Sequence, residues 1–300
     1  MNTSIFSRLS EFDALVAAAS RGDESEVRRL MVKVDPTADD CLPLNRAVNN
    51  GHLECVRALL PVSLANTAAP RTALLGAICC AVASEQEACL ALLLEQVTPE
   101  MNIQHDLHPS FRMAARKNHW GCLKLLRPYV DPKFNHSEAL LEAAKGMALE
   151  AFDYLLPVSD ITARDQLWFV VANNFSDETL KHMLESVSPA DLNQQTFDTM
   201  FHDSVLHGYY SQAELLLPYV DPKKNSSEAL RLALEFNDHE MAELLYPHSD
   251  LRVALELLRK KGDTPERHLK RLVELETAQR LKEVLTNATQ EGGIGRARKM

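Results

Sequence analysis

Residues 128–140 read PYVDPKFNHSEAL, and residues 218–230 read PYVDPKKNSSEAL. Eleven of the thirteen positions match, and the copies lie 90 residues apart. A shorter trace, Val34-Asp35-Pro36, sits near the N-terminus. Pro128, Pro157, Pro189 and Pro218 divide the interval into steps of 29, 32 and 29 residues. Self-similarity at such a period marks a repeat array, in which each unit buries its apolar face on its neighbours. Within the repeated stretch, Asp131-Pro132 and Asp221-Pro222 suit a tight turn: Asp accepts a nearby backbone N–H, and Pro presets φ. Asn135 with Glu138, and Asn225 with Glu228, fit the N-x-x-E pattern of a capping box.

The segment that follows predicts two helices. Ala139, Leu140, Ala143 and Ala144 form one apolar face, and Gly146 is expected to break that helix. Phe152, Leu155 and Leu156 face inward from a second helix, which Pro157 stops because it lacks a donor. The same frame reads through residues 15–31, 42–60, 73–94, 111–126, 167–184, 201–217 and 230–245. With 139–156 that makes about eight helix pairs.

Composition agrees with small, closely packed helices: 46% of residues are hydrophobic but only 6% aromatic. No apolar run approaches the roughly 18 residues a membrane span needs. The start, MNTSIFSRLSEFD, lacks a basic segment followed by an apolar core, so no secretory signal peptide is expected. Cys41, Cys55, Cys79, Cys80, Cys89 and Cys122 fall on apolar faces without a C-x-x-C pair, which reads as buried, reduced thiols in a cytoplasmic protein. The net charge of −10 is uneven: residues 257–300 are net +5, and the remainder is net −15. An acidic body argues against nucleic acid, whose phosphates need a basic footprint, and fits a partner protein with a basic surface.

Residues 42–60, LPLNRAVNNGHLECVRALL, resemble the ankyrin repeat, carried by Pro43, Leu44, Ala47, Gly51, His52, Glu54, Val56, Leu59 and Leu60. Ala18, Gly22, Glu26, Val27 and Leu30 resemble an N-terminal repeat of that family. The resemblance covers about residues 10–250, and is weakest at 167–184 and 201–217. The family's Thr-Pro-Leu-His opening is mostly absent, its loop is replaced by P-V-S-D or Y-V-D-P-K, and steps of 28–30 fall short of its usual 33. The expected fold is therefore all-α: a solenoid of stacked ankyrin-like helix-turn-helix repeats with shortened or absent β-hairpins. It spans residues 1–262. Residues 263–288 are expected to form a long amphipathic helix that caps the array or pairs with its copy in a homodimer, and residues 289–300 a flexible basic tail.

The resemblance implies that the first helices line a concave, partner-binding face. The residues expected there are Arg46, Asn50, Met113, Arg116, Lys117, Trp168, Phe169, Asn173, His207 and Phe236. Phe169, Phe236, Met113 and Trp168 are the expected anchors, since large apolar groups at exposed stations mark contact sites; for Trp168 and Phe169 the alternative is a place in the core of a distorted repeat. His52, His119 and His239 are expected to tie the turns. His105-Asp106 with His108, and His202-Asp203 with His207, lack a fourth ligand at useful spacing, so no metal is expected. No phosphate loop, dinucleotide loop or nucleophile elbow occurs. The function read from the sequence is a non-catalytic protein-binding module with no cofactor and no membrane partner. The alternative is a bacterial or viral effector, translocated without a signal peptide, that blocks a host or competitor protein.

Overall fold

The computed structural model describes residues 2–162, 165–188 and 191–260, together with Thr277. The expected helix over 263–288, Thr277 apart, and the tail over 289–300 lie outside the described residues. Those residues form 17 α-helices joined by turns, and no strand occurs among them. The chain falls into two compact units, residues 1–175 and 176–300, divided inside the least regular stretch of the sequence.

The first unit holds α1 (Asn2–Arg21), α2 (Glu24–Leu30), α3 (Ala38–Asn49), α4 (Leu53–Asn66), α5 (Pro70–Ala83), α6 (Glu87–Leu94), α7 (Gln104–Lys117), α8 (Trp120–Leu126), α9 (Phe134–Lys145), α10 (Leu149–Leu155) and α11 (Asp165–Asn174). Odd helices form one row, each packed on the next from α1 to α11, and even helices form a second row from α2 to α10. Composition explains the closeness of the first row. Its inner face is carried by Ala18, Ala47, Ala81, Ala114, Ala115, Ala143 and Ala144, all fully buried. Side chains that small let helix axes approach, while Leu and Val of the even helices, such as Val56, Leu59, Leu93, Leu123 and Leu126, fill the space between the rows. The second unit repeats the plan with α12 (Asp177–Glu185), α13 (Gln194–Leu206), α14 (Tyr210–Leu216), α15 (Pro222–Glu235), α16 (His239–Leu245) and α17 (Leu251–Lys260). There α13 packs on α15 and α15 on α17, while α12, α14 and α16 form the other row.

One turn geometry joins the two helices of nearly every pair. Gly22, Gly51, Glu85, Asn118, Met147, Gly208 and Asn237 have left-handed φ between 53° and 76°. The next amide donates back to a carbonyl in the first helix, as in His52 N to Ala47 O at 2.9 Å and His119 N to Ala114 O at 2.9 Å. Within the first unit these turns are spaced by 29, 34, 33 and 29 residues, so two steps are longer than the 28–30 read from the sequence. The helix-breaking role expected of Gly146 passes to Met147: Gly146 itself has an ordinary φ of −80°. Gly146 is required for another reason, since a Cβ there would overlap the carbonyl oxygen of Arg116.

The repeated stretch is the joint between pairs. Pro128, Pro157, Pro218 and Pro247 each sit in a 3-10 turn that ends the second helix. The joint aspartates then accept backbone amides two residues on: Asp35 from Thr37, Asp131 from Lys133, Asp160 from Thr162 and Asp250 from Arg252, at 2.9–3.0 Å. The capping box does not take the expected form at Asn135. Asn135, His136 and Ser137 adopt a left-handed turn, φ 49–56°, and Asn135 Nδ2 donates to the Glu138 carboxylate at 2.7 Å. Asp39, Asp40 and Cys41 do the same at the start of α3. Such a turn costs about 1–2 kcal/mol per residue. Tertiary bonding offsets part of that cost at Ser137, whose buried Oγ accepts the Asp160 amide of the next joint at 2.7 Å; the equivalent Ser227 on α15 accepts the Asp250 amide at 3.3 Å.

Candidate protein-binding face

On the odd helices of the first unit the buried Ala47, Ala114, Ala115, Ala143 and Ala144 face the core, and residues on the opposite side of each helix face away. Five residues before the left-handed turn stand Arg46 on α3, Met113 on α7 and Glu142 on α9. Arg46 is exposed and Met113 half-buried. Just before the turn stand Asn50, Arg116 with Lys117, and Lys145, all exposed. Three of the expected residues, Met113, Arg116 and Lys117, come together in a cleft of about 660 Å³ between α7 and α9.

Sequence reasoning also places Glu142 and Lys145 at outward stations, but it missed Arg112, Pro109 and Gly146. Arg112, Pro109, Glu142, Lys145 and Gly146 complete its lining. Arg112 precedes Arg116, and Pro109 precedes Met113, by four residues on α7, and that helical spacing was the available signal. Arg112 pairs with Glu138 across the helices at 2.6 Å. Glu142 receives Lys145 at 3.0 Å and lies 3.5 Å from Arg116. Lys117 donates to the Ala83 carbonyl of α5 at 3.0 Å.

The other expected contact residues divide by environment. Trp168 is corrected: it is only 2% exposed and belongs to the core of the first unit, because at its position α11 packs on α9. Phe169 is half-buried beside it. Asn50, Asn173 and His207 are exposed but fold back onto their own helices, bonding the carbonyls of Arg46, Phe169 and Asp203 at 2.8–3.0 Å. Phe236, at the end of α15, is 59% exposed. In the same unit His207 stacks with exposed Tyr209, ring centroids 5.7 Å apart. The second unit also has a smaller cleft, lined by Gln195, Asp198, Thr199, Phe201, His202 and Glu228. Its Glu228 is joined to the buried Arg231 at 2.6 Å, a hydrogen bond that raises the guanidinium pKa.

The histidines separate in the same way. His52 Nε2 lies 3.0 Å from Ser20 O, and His119 Nδ1 2.7 Å from Val82 O, so each ties its turn to the preceding pair. His239 is displaced by one residue: Asp238 occupies the equivalent station and caps α16 by accepting Met241 N at 3.0 Å. His108 is buried and stacked on Phe134 at 3.6 Å. Burial, with neighbouring His105, pushes its pKa down. Among the described residues no three His, Cys, Asp or Glu side chains converge as a metal site would require. The thiols differ from expectation at two positions: Cys79 is exposed and Cys80 half-buried, while Cys41, Cys55, Cys89 and Cys122 are buried. Burial pushes the Cys122 thiol up to about 11, which holds it protonated.

The chain matches no family model, and no curated protein matches it in sequence. Among the described residues no helix is long and apolar enough to cross a membrane.

Proposed function

We propose that this chain is a non-catalytic binding module, an ankyrin-like helical solenoid that grips a partner protein on the face lined by its odd helices. The observation that carries this reading is the α7–α9 cleft, where half-buried Met113 and exposed Pro109 lie beside Arg112, Arg116, Lys117 and Lys145. Six helices of the first unit at about 8–10 Å spacing give a face roughly 40–50 Å long, room for a standard interface of about 800 Å². The rest of the fold supports a role in display. Alanines, turn histidines and joint aspartates hold the rows together, and the stations that face away differ from pair to pair: Arg46, Met113, Glu142. Variation at those stations on a constant frame is how a repeat array acquires specificity.

The reading is tested by affinity capture from cells of the source organism, with the captured protein identified by mass spectrometry. The capture is then repeated with Arg46→Glu, with Arg116→Glu/Lys117→Glu, and with Arg57→Glu on the even-helix α4 as control. Loss of a contact residue at the centre of an interface weakens binding by about tenfold or more. The odd-helix variants should therefore lose the partner while the control retains it. Full capture by both odd-helix variants would sink the assignment.

A further inference from the structure

We infer that the cleft between α7 and α9 takes an extended, acidic segment of a partner protein: one apolar side chain on Pro109 and Met113, flanked by carboxylates that meet Arg112, Arg116, Lys117 and Lys145. This rests on the binding-module reading and adds the chemistry of the ligand. The cleft's sign is opposite to that of the chain. Four cations and one carboxylate, Glu142, line it, in a protein whose formal net charge is −10.

Cations near helix ends have an ordinary role, since Arg116, Lys117 and Lys145 sit in the last turns of α7 and α9, where they complement the helix dipole. That role does not account for Arg112, about one and a half turns from the end of the helix, nor for cations from two helices meeting around Pro109 and Met113. The carboxylates lie deeper than the cations: Glu138 and Glu142 side chains are 20% and 17% exposed, against 38% for Arg112 and 65% for Arg116. A guanidinium carries five N–H donors, more than one carboxylate engages, and that capacity receives a further carboxylate. A basic segment would meet the cations first. Acidic groups elsewhere on the chain are screened beyond about 8 Å at physiological salt, so contact in the cleft is governed by its own charges.

Fluorescence anisotropy of the full chain with labelled peptides tests this at about 0.15 M salt. Three twelve-residue peptides carry a central Leu flanked by Glu, by Gln or by Lys. Two or three new exposed ion pairs should make the Glu peptide bind about tenfold tighter than the Gln peptide. Arg116→Glu/Lys117→Glu should erase that preference, and Lys145→Glu should weaken it independently, with unchanged circular dichroism. Equal binding of the Glu and Gln peptides overturns the inference, as does tighter binding of a single-stranded oligonucleotide. If the Lys peptide binds best and Met113→Asp abolishes its binding, the acidic assignment fails while the odd-helix face stands as a binding surface. If peptide binding ignores every odd-helix variant, both readings fail.

Discussion

Replacing Gly146 by Ala should destabilise the first unit, although the same change usually stabilises a protein at such a backbone conformation. Gly146 has φ −80° and ψ −5°, which any residue adopts. By backbone entropy alone, Ala should therefore gain about 0.4–1 kcal/mol. The obstacle is across the cleft. An added Cβ would lie 2.9 Å from the Arg116 carbonyl carbon and 3.2 Å from its Cα, and would overlap the carbonyl oxygen. Those atoms are backbone in the last turn of α7, so no rotamer change relieves the contact. Regaining van der Waals separation requires α9 to move from α7 by roughly 1 Å, and overpacking of that kind costs about 1–3 kcal/mol. The clash wins, leaving a net loss of about 1–2 kcal/mol.

Gly76 supplies the control. It lies inside α5 with nothing within 4 Å of an added Cβ, so Gly76→Ala should stabilise by about 0.5–1 kcal/mol. Gly121 is intermediate, because its Cβ would meet only the flexible Glu87 carboxylate. All three lie in the first unit, so one unfolding transition compares them. Urea unfolding followed by tryptophan fluorescence should show a lower midpoint for Gly146→Ala and a higher one for Gly76→Ala, at constant slope. A Gly146→Ala protein as stable as Gly76→Ala would refute the close approach of α9 to Arg116, and with it the geometry of the cleft.

His52→Ala should cost about 1 kcal/mol or more, because its ring bonds Ser20 O and packs where a Gly22 Cβ would stand, while His239→Ala should stay within about 0.5 kcal/mol; thermal unfolding separates them. Trp168→Ala should cost about 3–5 kcal/mol, and Phe236→Ala should leave the melting temperature nearly unchanged. An alkylating reagent applied to native protein should modify Cys79 first and leave Cys122 intact until unfolding, read by peptide mass. The Cys122 pKa is raised in the folded state, so its contribution to stability is complete below the ordinary thiol pKa. That contribution falls as pH rises through about 11; unfolding midpoints that increase over that range would contradict its burial.

Much of the fold is legible in local pattern. The alanine and leucine spacing of residues 139–156 announces a helix pair, and α9 and α10 occupy it. Pro157 announces the end of the second helix, and α10 stops at Leu155. Asp131 announces a turn, and its carboxylate accepts the Lys133 amide at 2.9 Å. Each of these depends on atoms a few residues apart, so the sequence alone carries the physics.

The exceptions depend on partners about 20–35 residues away. Asn135 looked like a helix cap, yet the buried bond from Asp160 to Ser137 accompanies a left-handed turn that local propensity disfavours. Gly146 looked like a helix breaker, yet its lack of a side chain is required by the Arg116 backbone of the preceding pair. Trp168 could be read from the sequence as a surface anchor or as core, and packing within the first unit buries it. The cleft follows the same rule. Sequence alone determined a helical repeat whose odd helices carry Arg46, Met113, Arg116 and Lys117 at stations facing away from the alanine core. Only the tertiary structure brought Arg112 and Lys145 from separate helices to one cleft beside Pro109 and Met113, because stacking joins residues that the chain keeps a full repeat apart.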